Sequence, residues 1–256
     1  MIRQVAGNAR LSSELQPVAF FNASSRLTGL SLNAAFTFLT ACGLQIAGVP
    51  VVYFGCHAGM SRCVLGTNRD DYTEPPPCKK CISQSKNMFA HAPVVWFEYS
   101  QDDVLVKALD DIGIEELSNF EHTVSLNGSS GIELNLPLGQ LVQPSLRWAL
   151  RRHNLPDSEA VRYLFREYIL SAANLAEDFI KFMDQINPSA VVIFNGIMFP
   201  EATAKWIANR KDVRVVTHEV GFQPFSGFFS NRQVTAYPIH IPDEFELSLE
   251  QNARLN

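Results

Sequence analysis

The stretch from Leu27 to Ser61 constrains this chain most, because it holds 35 consecutive positions without Asp, Glu, Lys or Arg. A run that long without charge has to be buried, in lipid or inside the protein. Thr28, Ser31, Asn33, Thr37, Thr40 and Gln45 interrupt it, and Gly48-Val49-Pro50 breaks it into a helix of about 18 residues followed by the strand VVYFG. The pattern predicts a buried crossover helix over about Leu30 to Ala47, not a membrane span.

The helix is flanked by the apolar runs Pro17 to Asn22 (PVAFFN) and Val49 to Phe54, which together make a βαβ unit with a right-handed crossover. Further continuous apolar runs at Pro93 to Tyr99, Ala190 to Asn195 and Val213 to Thr217 are of the kind that parallel sheets bury on both faces. The expected fold is α/β, a Rossmann-like open and mostly parallel sheet with helices on both faces, in one domain over residues 1–256. A cysteine-rich loop at 55–90 and a helical insertion at 137–186 are set into it, the second divided at Asn154-Leu155-Pro156-Asp157. A final helix is expected to begin at Asp243.

Twenty-one basic against 26 acidic residues give a net charge of −5, so no overall basic field attracts a nucleic-acid backbone. The opening MIRQVAGNARLSSELQP is polar and mixed, which argues against a secretory leader and for a cytoplasmic location. Without a secretory route, the triplets at Asn22-Ala-Ser24 and Asn127-Gly-Ser129 carry no meaning as glycosylation sites.

Four of the five cysteines fall within 26 residues, as Cys56-x6-Cys63-x14-Cys78-x2-Cys81. Four thiolates converging on one point suit a tetrahedral metal ion, and Pro75-Pro76-Pro77 stiffens the entry to Cys78-Lys-Lys-Cys81. Structural zinc is the first expectation and an iron–sulfur cluster the alternative, since both use four cysteines. Disulfide or redox pairing, and thiols with no connection, stay open beside them. His57 and His91 are alternative ligands, and Cys42 reads as a small core residue.

Open α/β sheets bind ligands beyond the carboxyl ends of their strands. The residues there are Asn22, Ser24, Ser25 and Arg26, then Gly55, Cys56 and His57, then Glu98 and Tyr99, then Asn195 and Gly196, and last His218, Glu219 and Gly221. His218-Glu219 can supply a general base, although strand alternation turns only one of them toward a given cleft. Gly196 and Gly221 would let a ligand approach closely. No G-x-G-x-x-G follows the first strand and no P-loop occurs anywhere, so no dinucleotide or P-loop site is expected. Arg147, Arg151, Arg152 and His153 form a basic patch, read first as a solvated helix face and second as a phosphate contact.

Five segments carry a resemblance: PVAFFN with its following Arg, VVYFGCHAGMSRCVLG, PPPCKKC, PLGQLVQPSLRWALRRHNL, and VVIFNGIMFPEATAKWIANRKDVRVVTHEVG. Over roughly two-thirds of its length the chain resembles bacterial surface or capsular polysaccharide glycosyltransferases of the two-lobed GT-B type. The resemblance implies an amino-terminal, acceptor-side lobe that binds a saccharide acceptor. It implies a nucleotide-sugar donor held by a second lobe beyond Asn256, peripheral membrane association, and little activity for this chain by itself. A stand-alone relative lacking donor binding is the other possibility. In this setting Glu219, or else His218, is the expected base, with Asn22, Ser24, Arg26, Asn195, Gly196 and Gly221 on the acceptor side.

Overall fold

The computed structural model describes residues 2–23, 31–126, 131, 133–231 and 247–254. Its centre is a six-stranded sheet of β1 (Val18–Asn22), β2 (Val51–Cys56), β3 (Val94–Phe97), β6 (Ala190–Phe194), β7 (Arg214–Val220) and β8 (Gly227–Ser230), in the order β3-β2-β1-β6-β7-β8. The first five are parallel, as their continuous apolar runs predict, and β8 returns antiparallel to β7. The fold is therefore Rossmann-like α/β.

Side chains alternate across the strands, so each strand serves two cores. Ala19, Phe21, Val52, Phe54, Val191, Ile193 and Val215 face one layer, and Phe20, Val51, Tyr53 and Val192 face the other. The first layer contains α6 (Leu138–Leu150), α7 (Glu159–Ile186) and α8 (Phe199–Arg210). The second contains α2 (Leu32–Ile46) and α3 (Cys78–Met88). The chain moves from β1 outward through β2 to β3, then returns and moves the other way through β6 to β7. Right-handed crossovers taken in opposite directions put their helices on opposite faces, which explains the two layers.

The uncharged helix forms as expected, two residues shorter at its start, because Ser31 caps it by accepting from Ala34 N at 3.1 Å. No helix among the described residues is long and apolar enough to cross a membrane. Packed on it is α1 (Ile2–Asn8), through a small cluster of Val5, Phe38 and Cys42. The segment 55–90 divides into the end of β2, an irregular stretch and α3, which begins at Cys78 itself.

Beyond β3 come α4 (Asp103–Leu109), α5 (Ile114–Ser118) and a separate two-stranded ribbon of β4 (His122–Ser125) and β5 (Glu133–Leu136). The insertion at 137–186 is the pair α6 and α7. The 28 residues of α7 span about 42 Å, against about 17 Å for a five-residue strand. Because its carboxyl end feeds β6 at the amino edge of the sheet, its amino-terminal half overhangs the carboxyl edge. Near the carboxyl terminus, α9 (Leu249–Ala253) is described, whereas the expected start at Asp243 lies outside the described residues.

Candidate functional site at the carboxyl edge

The switch point of this sheet lies between β1 and β6, where the strand order turns back, and doubly wound sheets bind ligands at such a place. Asn22 ends β1 there, with its buried Nδ2 lacking any hydrogen-bond partner among the described residues. Beside it, Asn195 (φ 24°) and Gly196 (φ 76°) leave β6 through two successive left-handed residues. This turn is closed by Ile197 N donating to Asn195 Oδ1 at 3.0 Å. A side chain at Gly196 would strike Lys205, whose amine is pushed down from its ordinary pKa by burial. Lys205 has no sequence signature, because α8 brings it here only in three dimensions.

His218 and Glu219 lie within β7 rather than after it, a correction that follows from pairing with β8. Beyond Phe194 the strand β6 has stopped, so Glu219 overhangs toward Asn195 and accepts from its Nδ2 at 3.1 Å. The other carboxylate oxygen accepts from Val220 N at 2.8 Å. Glu219 is half-buried and open to solvent on one side.

His218 is 1% exposed, between Phe194 and Phe229. The Thr37 hydroxyl lies 3.0 Å from the Asn33 carbonyl and 2.9 Å from His218 Nε2. The His218 Nδ1 is buried with no hydrogen-bond partner among the described residues. Burial lowers the His218 pKa to about 4, which keeps the ring neutral. Of the two expected bases, only Glu219 reaches solvent. The space expected beside Gly221 is filled by Ser226, which closes the β7–β8 turn. Ser24 and Arg26 lie outside the described residues.

The second assembly is the cysteine group. Cys56 ends β2, Cys63 follows on the irregular stretch, and Cys78 and Cys81 sit one turn apart at the start of α3. Gly59 N donates to Cys56 Sγ and Gly66 N to Cys63 Sγ, each at 3.2 Å. Both pairs are C-x-x-G turns, and this repeat, present in CHAGMSRCVLG, is a signal the spacing argument overlooked.

Burial pushes the Cys56 thiol up to about 12, against the Gly59 N–H, with the Cys63, Cys81 and Cys78 thiols adding to the rise. The Cys63 thiol also rises to about 12 through burial, with Cys78 and Cys81 adding. Cys78 is raised by burial and by Cys81. Four thiols thus share one electrostatic neighbourhood, and a cation is what would favour their thiolate forms.

Four cysteine sulfurs are the donor type that zinc and iron–sulfur clusters take, and two of them accept backbone N–H bonds. Among the described residues no three His, Cys, Asp or Glu side chains are posed around an ion as they stand. All five cysteines are free, so no disulfide joins them. Of the two histidines, His91 is buried between Tyr53 and Gln45, and His57 Nδ1 meets Glu98 at 2.8 Å.

The overhanging half of α7 holds this region down. Ser61 bonds Ser171 at 3.1 Å, Arg62 reaches the Tyr163 hydroxyl at 2.8 Å, and Thr67 meets the Tyr168 hydroxyl at 2.9 Å. A cleft of about 280 Å³ opens next to it beyond β3, lined by Tyr99, Asp102 and Asn174 among others.

Fold and site together define a Rossmann-like α/β protein with polar side chains grouped at its switch point and four cysteines alongside. No family model matches the chain, and no curated protein matches it significantly.

Proposed function

We propose that the chain is the acceptor-side half of a glycosyltransferase in polysaccharide biosynthesis, in which Glu219 takes the proton of an acceptor hydroxyl. The observation that carries the reading is the grouping of Asn22, Asn195 and Glu219 at the switch point. Two amides offer donors and acceptors to sugar hydroxyls, and the carboxylate is the one accessible base among them. The sheet order supports a ligand at that switch point, and the resemblance of the surrounding segments supports a saccharide as the ligand. The donor nucleotide sugar would be held by a second lobe. Under this reading a metal on the four cysteines, zinc first, would be structural and would keep the loop beside the switch point in shape.

Oligosaccharide acceptors titrated into the protein and followed by ligand-observed NMR test the acceptor role. Binding that is lost in Asn195→Ala supports it. Binding that is absent, or indifferent to Asn195, overturns it.

A second reading has one observation in its favour, the four thiols: a metal-binding α/β module with a redox or partner-docking role and no transferase activity. Metal analysis with a visible spectrum separates the two. An iron–sulfur cluster that takes up an electron favours the module, and spectrally silent zinc favours the staple.

A further inference from the structure

We infer that Arg69, Arg147, Arg151 and Arg152 form a binding site for a phosphate or diphosphate group, built around Trp148 where the cysteine-bearing stretch meets the end of α6. The inference does not rest on the glycosyltransferase reading.

The guanidinium carbons of Arg69 and Arg151 lie 5.2 and 5.0 Å from the centre of the Trp148 ring. Two cations from separate parts of the chain therefore share one indole. Arg147 is one helical turn before Arg151, and Arg152 N donates to the Arg147 carbonyl at 3.1 Å. None of the four arginines is ion-paired among the described residues. Asp157 pairs with Arg162 at 2.9 Å and Glu159 with Arg166 at 2.5 Å, whereas Asp70, next to Arg69 in sequence, has no ion pair among the described residues. Asp71 accepts from Thr73 at 2.9 and 2.6 Å.

Cations at the end of a helix are ordinarily explained by the helix dipole. That account covers Arg147, Arg151 and Arg152 but leaves out Arg69, which comes from a different segment. It also leaves Arg147 Nε buried with no partner among the described residues. Arg151 sits at φ 55° in the left-handed region, where a helix end ordinarily has glycine. Several guanidinium forks with no ion pair among the described residues call for more negative charge than one carboxylate brings, and a phosphate or diphosphate supplies it with several acceptor oxygens.

The test is calorimetric titration of the full chain with inorganic pyrophosphate at low ionic strength, followed also by tryptophan fluorescence. Sub-millimolar binding that weakens with added salt is expected. Arg69→Gln and Arg151→Gly should each weaken it about tenfold or more, as for loss of a charge-assisted hydrogen bond, while the remote Arg254→Gln leaves it unchanged. Arg151→Gly also relieves the left-handed backbone, so its melting temperature should hold or rise while binding falls, which unfolding cannot mimic. Sedimentation with phosphatidate vesicles against phosphatidylcholine vesicles identifies the source. Binding lost in the same two variants assigns a lipid headgroup, and pyrophosphate binding alone assigns a soluble phosphate. The site is overturned if neither probe binds at millimolar concentration, or if both variants bind as the wild type does.

Discussion

Asn195 Nδ2 donates to Glu219 Oε2 at 3.1 Å across the end of β6, while Asn195 Oδ1 is held by Ile197 N and Glu219 Oε1 by Val220 N. Each atom of the pair thus has a fixed role, and the carboxylate accepts twice without donating. The Glu219→Gln variant replaces one acceptor by an NH₂ group that must face a donor, so one hydrogen bond is lost whichever way the amide turns.

The folding cost of Glu219→Gln should therefore be small, about 1 kcal/mol by urea unfolding. If Glu219 is the base, turnover in the intact gene product should fall about 10² to 10⁴-fold, far more than that stability loss explains. A stability change with turnover kept would make the pair structural and move the base elsewhere.

His218 gives a pH dependence with a definite sign. Its folded pKa of about 4 lies below the ordinary 6.5, so between those values the unfolded chain binds a proton that the folded chain does not. Stability is fully present above pH 6.5 and is lost as the pH falls toward 4, by on the order of 3 kcal/mol. His91, also lowered by burial, adds to the same slope. Unfolding of wild type and His218→Gln in urea at pH 7 and pH 5 checks this. The variant should show the shallower dependence, and an equal slope in both would show that His218 is protonated when folded.

The strands could be read from the sequence because both faces of a parallel sheet are buried, and runs such as AVVIF have few other uses. The position of Glu219 could not, since β7 ends at Val220 only through pairing with β8, a partner fixed by a turn rather than by local pattern. The short helices α4 and α5 and the β4–β5 ribbon escaped for a similar reason: they carry too few residues for a period to stand out. The cysteine spacing pointed to four thiols, yet the C-x-x-G repeat that orients two of them becomes meaningful only when the glycine N–H is seen to face the sulfur. Asn22 and Asn195 were legible as strand ends, whereas Lys205 was not, lying mid-helix.

Gly66 is a sharp probe of the cysteine turns. A Cβ there would lie 2.8 Å from both Cys63 Sγ and Pro76 Cβ, so Gly66→Ala has to displace the sulfur or the proline. It should destabilise by about 1 to 3 kcal/mol and reduce bound zinc. Gly43 is the counterpart on α2, with open space around its Cβ position, so Gly43→Ala should stabilise by about 0.5 to 1 kcal/mol. Thermal melts of the two variants should move in opposite directions, and a Gly66→Ala protein that melts with the wild type would show that the sulfur contact has no weight.

The last prediction concerns what a metal would do for this fold. Cys56 belongs to the sheet, Cys78 and Cys81 to α3, and Cys63 to the stretch between them, so an ion on these sulfurs would tie a loop to two rigid elements. Protein purified without added metal should contain about one zinc per chain. Because the sheet has its own two cores, chelation should leave it folded and loosen only the tied segment, unlike a small zinc finger that unfolds as a whole. Hydrogen exchange is the readout. After chelation, or in Cys78→Ser, amides of residues 57–88 should exchange faster, while those of β1, β6 and α7 keep their protection. Titration with a thiol reagent should go from near zero reactive groups among the four in the zinc form to all four after chelation. Less than about a tenth of an equivalent of metal in fresh protein, with four thiols reacting at once, would remove the metal reading and leave α7 as the element that holds this segment in place.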